Sequence, residues 1–286
     1  MKTRLECLPC LSRNAVVIAQ RSCNDPELQH RIVCDSMHLL ADTDMSEPPP
    51  FYAREIMDIA LRECSCRCAD PYGREKETST LLARRLLAEL HDIPEYDPDR
   101  FESRLRLAIA GNILDFGVFT DLNLNEAVRM VRQTFTRPID REAMRKLQRR
   151  IESSRKILYV LDNCGEAVFD RIFMELFQEK VVVAVRGRES LNDVTRKELA
   201  DSGFPETVRV VDNGTGIPGV MEDFAGAELG HAMKNADLII AKGQGNFETL
   251  NETRYPVSFL FLAKCPVVIR EIGAEPKSIQ IRNMNF

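Results

Sequence analysis

From Lys156 onward, short apolar runs rich in β-branched residues alternate with helical stretches, and this alternation admits very few architectures. The runs cover residues 157–161, 181–185, 208–211, 238–241 and 267–269. Successive runs start roughly 25 to 30 residues apart, the spacing of βα repeats that feed a mostly parallel sheet. They are continuous rather than alternating, as expected of strands buried on both faces. The preceding part reads differently. Helical periodicity recurs over 11–20, 26–40, 51–62, 80–90, 98–116, 125–133 and 140–153, with Asn24-Asp25 and Asp70-Pro71 as start signals. The chain therefore divides into a mainly helical domain over 1–154 and an α/β domain over 155–286.

Composition excludes several classes. With 44% hydrophobic and 29% charged residues among 286, the chain reads as a soluble globular protein. A net charge of −5 gives no basic surface for nucleic acid. The stretch 257–263 is among the longest apolar runs and is far too short to span a bilayer. The start, M-K-T-R-L-E-C-L, lacks the apolar region of a signal peptide. Nine cysteines, an odd number in a chain of this size, read as reduced thiols. A cytoplasmic location is expected.

Three loops follow three of the runs. The first carries Asp162-Asn163-Cys164-Gly165-Glu166 and opens a helix over 167–177; the second carries Leu191-Asn192-Asp193, with a short helix expected from Val194. The third is Lys242-Gly243-Gln244-Gly245-Asn246-Phe247-Glu248. Parallel strands would bring all three loops to one edge of the sheet, where ligands of open α/β sheets bind. Two carboxylates and an amide, Asp162, Asn163 and Asp193, suit a hard divalent ion, Mg²⁺ or Mn²⁺, with Co²⁺ or Ni²⁺ also compatible. Helix capping is the alternative use of such residues. Gly243 and Gly245 let backbone N–H groups turn toward an anion, Lys242 adds a full charge, and Asn246 is either part of that loop or a cap. A cation at the carboxylates and a phosphate on Lys242 would together activate a water for attack. Glu166 and Glu248 are spare candidates for proton transfer, although first-turn carboxylates also serve the helix dipole. The haloacid-dehalogenase pattern D-x-D-x-T is absent, because Cys164 holds its second acidic position.

The combination D-N-C-G-E, L-N-D-V-T and A-K-G-Q-G-N-F-E resembles the metal-dependent damage-control phosphatases, the ARMT-like family first called domain of unknown function eighty-nine. C-L-P-C at Cys7 to Cys10, F-Y-A-R-E at Phe51 to Glu55, D-P-Y at Asp70 to Tyr72 and A-G-N-I-L-D-F-G at Ala110 to Gly117 match as well. The amino-terminal C-x-x-C is similar to the prokaryotic branch, and the R-T-x-K motif of the eukaryotic branches is not seen. The resemblance implies a helical domain packed on a three-layer α/β/α Rossmann-like sandwich. It further implies a divalent metal on Asp162, Asn163 and Asp193, and hydrolysis of small phosphate esters such as sugar phosphates or damaged phosphometabolites. By the same resemblance Lys242 binds the phosphate, and Asn112 and Asp115 reach the site from the helical half. Asn112 and Asp115 share a helical face, where polar residues also serve to satisfy backbone groups. A carboxyl-methyltransferase activity attached to the family finds no glycine-rich cofactor loop here.

Two other readings stay open. One is a non-catalytic protein that binds a phosphorylated metabolite. The other is a thiol-ligated metal or redox protein, with zinc on Cys7, Cys10 and the cluster Cys64, Cys66 and Cys68. Cys164 is either an oxidation sensor or a packed thiol beneath its turn.

Overall fold

The computed structural model describes residues 1–64, 70–90, 93, 95–114 and 124–286. Among the described residues seven α-helices precede the first strand: α1 (Leu8–Ser22), α2 (Pro26–Asp42), α3 (Pro49–Glu63), α4 (Gly73–Glu89), α5 (Phe101–Ala110), α6 (Leu124–Thr136) and α7 (Arg141–Ser153). Their starts follow local chemistry. Pro26 and Pro49 occupy first-turn positions where no N–H is needed, and Asp25 and Asp140 cap with their carboxylates. The expected helix over 98–116 is shorter: α5 stops at Ala110 and a 3₁₀ turn covers Gly111–Leu114.

The remainder alternates as β1 (Ile157–Val160), α8 (Cys164–Met174), β2 (Val181–Val185), β3 (Arg209–Asp212), α9 (Ala227–Asn235), β4 (Leu238–Lys242), α10 (Gly243–Leu250), β5 (Val257–Leu262), α11 (Pro266–Ile272) and β6 (Ile279–Met284). The strands form one sheet in the order β3-β2-β1-β4-β5-β6. All pairings are parallel except β5 with β6. This is a doubly wound order with its switch point between β1 and β4.

Two expectations are corrected here. The run 267–269 is not a strand but the middle of α11, which starts on Pro266 and ends on Gly273 in the left-handed region. Proline at the first turn and glycine just past the last favour a short helix over a strand. The fifth strand is β5, whose six residues are all buried, and β6 closes the edge. No helix starts at Val194; the segment after Asp193 is held as turns, with Thr195 bridging to Arg186.

Alternate residues of each strand feed opposite cores. Ile157, Tyr159 and Leu161 join Val183, Ile240 and Leu260 under a layer that includes α4 to α8. Leu158 and Val160 join Ala184, Ile239 and Phe259 under α9, α10 and α11. Helices α1 to α3 keep a third core of their own, around Ile18, Ile32 and Ile56. The hydrophobic core therefore crosses the sequence boundary near residue 155: α4 to α7 share one outer layer of the sandwich with α8.

Candidate functional site

At the carboxyl end of β1 the chain turns through Asp162 and Asn163 into α8. The loop after β2 is fastened onto this turn by the backbone. Val194 N–H donates to Asp162 O at 2.9 Å, Cys164 N–H donates to Asn192 O at 3.0 Å, and Asn163 forms an isolated antiparallel bridge with Asp193. Asp162, Asn163 and Asp193 are thus neighbours on one rim. Asn163 Nδ2 donates to Asp162 Oδ2 at 3.1 Å, which directs its Oδ1 away from that carboxylate. Capping does not account for these residues. Asn163 holds the N-cap position of α8 without a side-chain cap bond, and Asp193 precedes no helix.

A residue that sequence reasoning passed over lies between the two acids. Arg186 directly follows β2, is buried, and donates from Nε to Asp193 Oδ2 at 2.6 Å. Its Nη2 stands 3.7 Å from Asp162 Oδ1. The signal was present: an arginine at the carboxyl end of a buried strand, in the same loop as Asp193.

The third loop joins the rim through Gly243. Its φ is +76°, and a Cβ there would fall 1.8 Å from Asp162 Oδ2. Gly245 faces Pro218 O, which a Cβ would meet at 2.7 Å. Asn246 is buried one turn into α10 and donates to Leu161 O and Lys242 O at 3.2 and 2.7 Å, while its Oδ1 has no hydrogen-bond partner.

Lys242 points elsewhere. Its ammonium is fully buried and donates to Ala108 O at 2.8 Å, to Asp170 Oδ1 at 2.7 Å and to Glu166 Oε1. Burial by itself would lower its pKa, but Asp170 and Glu166 more than offset this and raise it. Burial pushes the Asp170 carboxyl up to about 7, with Lys242 opposing. Two carboxylates share this one ammonium, and Asp170 Oδ2 has no hydrogen-bond partner. Tyr159 OH also donates to Asp170 Oδ1 at 2.8 Å. Asn112 joins the same network: its Nδ2 donates to Glu166 Oε2, and its Oδ1 accepts from Leu262 N–H at 3.4 Å. Asp115 lies outside the described residues.

A second cation at the rim was also passed over. Lys264 lies just beyond β5, its backbone N–H donates to Gln244 Oε1 at 2.5 Å, and its ammonium donates to Asn112 O. Lys264 directly follows the apolar run 257–263.

A further acidic cluster borders the β2 loop. Asp70, Glu189 and Glu198 each place an oxygen within 4.8 Å of the others. The Lys76 ammonium sits among them, 3.0 Å from Asp70 and 3.7 Å from Glu198, and it also pairs with Glu189. Burial opposes the charge on Lys76, but the three acids win and raise its pKa. Arg54 braces this side by donating from Nη1 to Glu189 O at 2.7 Å.

The thiols divide. Burial pushes the Cys164 thiol well up, and its Sγ donates to Asp193 O at 3.6 Å, so it is a packed, protonated thiol. Cys7 and Cys10 are free thiols and Cys64 is buried; Cys66 and Cys68 lie outside the described residues. Burial is the main cause raising both Cys7 and Cys10, whose charged neighbourhood includes Glu248 and Cys265.

The sequence matches the damage-control phosphatase ARMT1-like domain over residues 3–279. A damage-control phosphatase of Pyrococcus horikoshii is 33% identical, covering 95% of this chain and 94% of its own length. One of Archaeoglobus fulgidus is 30% identical, covering 96% of both chains. The crystal structure of a DUF89 family protein from P. horikoshii superposes with a TM-score of 0.88 at 30% identity, covering 99% of each chain. With the family domain matched over residues 3–279 of the chain and the fold shared, this chain belongs to the damage-control phosphatase ARMT1-like family.

Proposed function

We propose that the chain is a metal-dependent phosphomonoesterase acting on small phosphorylated metabolites, sugar phosphates or damaged phosphometabolites among them. The observation that carries this reading is the convergence of Asp162, Asn163 and Asp193, joined by backbone pairing between two loops. The donor set fits a hard divalent cation, because two carboxylates and an amide oxygen match the preference of Mg²⁺ or Mn²⁺, and Co²⁺ or Ni²⁺ suit it too. Such a cation, when bound, supplies Lewis acidity toward a phosphoryl oxygen and lowers the pKa of water.

The remaining work belongs to the chain. Gly243 brings the α10 amino terminus against Asp162, and the first-turn N–H groups from Gly243 to Gly245 are donors for phosphoryl oxygens. Lys242 acts from beneath, tying β4 to α8 through Glu166 and Asp170 and so fixing the loop that follows it. Asn112 links that network to β5, and Lys264 adds positive charge at the rim. Among the described residues no helix is long and apolar enough to cross a membrane. The free thiols suit a reducing, cytoplasmic setting.

Purified protein should hydrolyse p-nitrophenyl phosphate with added Mg²⁺, Mn²⁺, Co²⁺ or Ni²⁺, and Asp162→Ala or Asp193→Ala should remove that activity. Hydrolysis unchanged in either variant rejects the assignment. Thermal stabilisation by a phosphorylated metabolite without turnover would instead identify a binding protein.

A further inference from the structure

Arg186 differs from the other buried arginines among the described residues. Arg54 donates from Nε to Asp58 at 2.8 Å and from Nη1 to Glu189 O at 2.7 Å, and its Nη2 pairs with Asp58. Arg106 donates from Nε to Glu102 at 2.9 Å and from Nη1 to Thr134 O and Arg137 O, and its Nη2 pairs with Glu102. Both are struts whose donors are used. Arg186, only 1% exposed, satisfies Nε on Asp193, yet neither Nη1 nor Nη2 has a hydrogen-bond acceptor. A guanidinium left partly unsatisfied in a buried place contributes charge more than hydrogen bonding. That charge lies against both carboxylates of the rim, bonded to one and 3.7 Å from the other.

We propose that Arg186 is a built-in counter-cation of the Asp162–Asn163–Asp193 cluster, competing with a divalent cation for the two carboxylates. This rests on the reading of those three residues as cation ligands. Two carboxylates and one guanidinium give these side chains a formal charge of minus one. A bound divalent cation turns it to plus one, so the loaded site favours an anion beside it. Without the guanidinium the loaded site would be neutral. Arg186 therefore weakens cation binding and strengthens binding of the phosphoryl group, acting as a positioning residue through electrostatics.

The test compares the full chain with Arg186→Gln, which retains a donor for Asp193 without the charge, and Arg186→Lys, which retains the charge. Mn²⁺ affinity is read by titration calorimetry, then inorganic phosphate affinity at saturating Mn²⁺. The glutamine variant should bind Mn²⁺ about tenfold tighter and phosphate about tenfold more weakly, with lysine within about threefold of the parent on both. Equal or weaker Mn²⁺ binding in Arg186→Gln overturns the proposal and leaves the cation site standing, since a strut would loosen both ligands. A parent chain that binds no Mn²⁺ overturns both readings. Should Arg186→Gln be unfolded without metal, Mn²⁺ should restore its fold and then raise its thermal midpoint more steeply than the parent's. A chain still unfolded at saturating Mn²⁺ would overturn the proposal.

Discussion

Gly243 and Asp162 can share the rim only because one of them has no side chain: a Cβ on residue 243 would lie 1.8 Å from Asp162 Oδ2. The backbone adds a second demand, since φ is +76° at this glycine. Gly243→Ala should cost about 1–2 kcal/mol for the left-handed conformation and should displace the Asp162 carboxylate. Mn²⁺ affinity measured by calorimetry should fall at least about tenfold, the worth of one carboxylate ligand misplaced by an ångström or so. Gly273→Ala is the control. It has φ +62° and nothing within 4 Å, so it should lose comparable stability and keep its Mn²⁺ affinity.

Lys242→Met should unfold in urea with a loss of about 3–5 kcal/mol, the usual consequence of removing one partner from a buried ion pair. Glu166 and Asp170 would be left facing each other without a cation. Adding Glu166→Gln to Lys242→Met should recover part of that loss. A lysine serving only an anion at an open surface would cost under about 1 kcal/mol when replaced, and that result would contradict the buried network.

The same trio predicts how stability varies with pH. An aspartate in the unfolded chain releases its proton near 3.8, whereas folded Asp170 keeps it up to about 7. Between those values the native state binds the additional proton, so this group's contribution to stability declines as pH rises from about 4 to about 7. Glu248, pushed up to about 7 by burial, adds a slope of the same sign. Asp170→Asn mimics the protonated form and should flatten part of the decline. Urea midpoints at pH 5 and pH 8 would reveal it: parent and variant should differ in slope by no more than about 1.4 kcal/mol per pH unit. Identical slopes would mean that Asp170 is ionised throughout.

Lys76 fills the Asp70–Glu189–Glu198 cluster with its own ammonium. Lys76→Met leaves three oxygens within 4.8 Å of one another and no internal cation between them. The variant should be less stable than its parent by about 3–5 kcal/mol and should regain stability in millimolar Ca²⁺, which suits a cluster of carboxylates. Differential scanning calorimetry with and without Ca²⁺ checks both halves. A parent chain stabilised equally by Ca²⁺ would show that the ammonium does not occupy the cluster.

Much of the sandwich was legible because burial on both faces writes itself into composition. The runs 157–161 and 181–185 read as interior strands, and Ile157–Val160 and Val181–Val185 are strands of the sheet. The run at Val267 misled for a physical reason: three β-branched residues look like a strand until Pro266 and Gly273 are read as helix punctuation. The edge strand β6 escaped notice because its second half is only partly buried and its apolar pattern fades.

The sequence by itself determined the buried strands β1, β2 and β4 of the sheet, the glycine at residue 243, and the choice of acids and amides that end up on the rim. These follow from apolar periodicity and from residue types that suit few other uses. Tertiary structure alone decided where the charges go. Pairing of the two loops puts Asp193 beside Asn163, burial turns Lys242 inward to Glu166 and Asp170, and β2 delivers Arg186 between two carboxylates. Charge partners are chosen by distance through the fold and by exclusion of water. Neither quantity has a local signature along the chain.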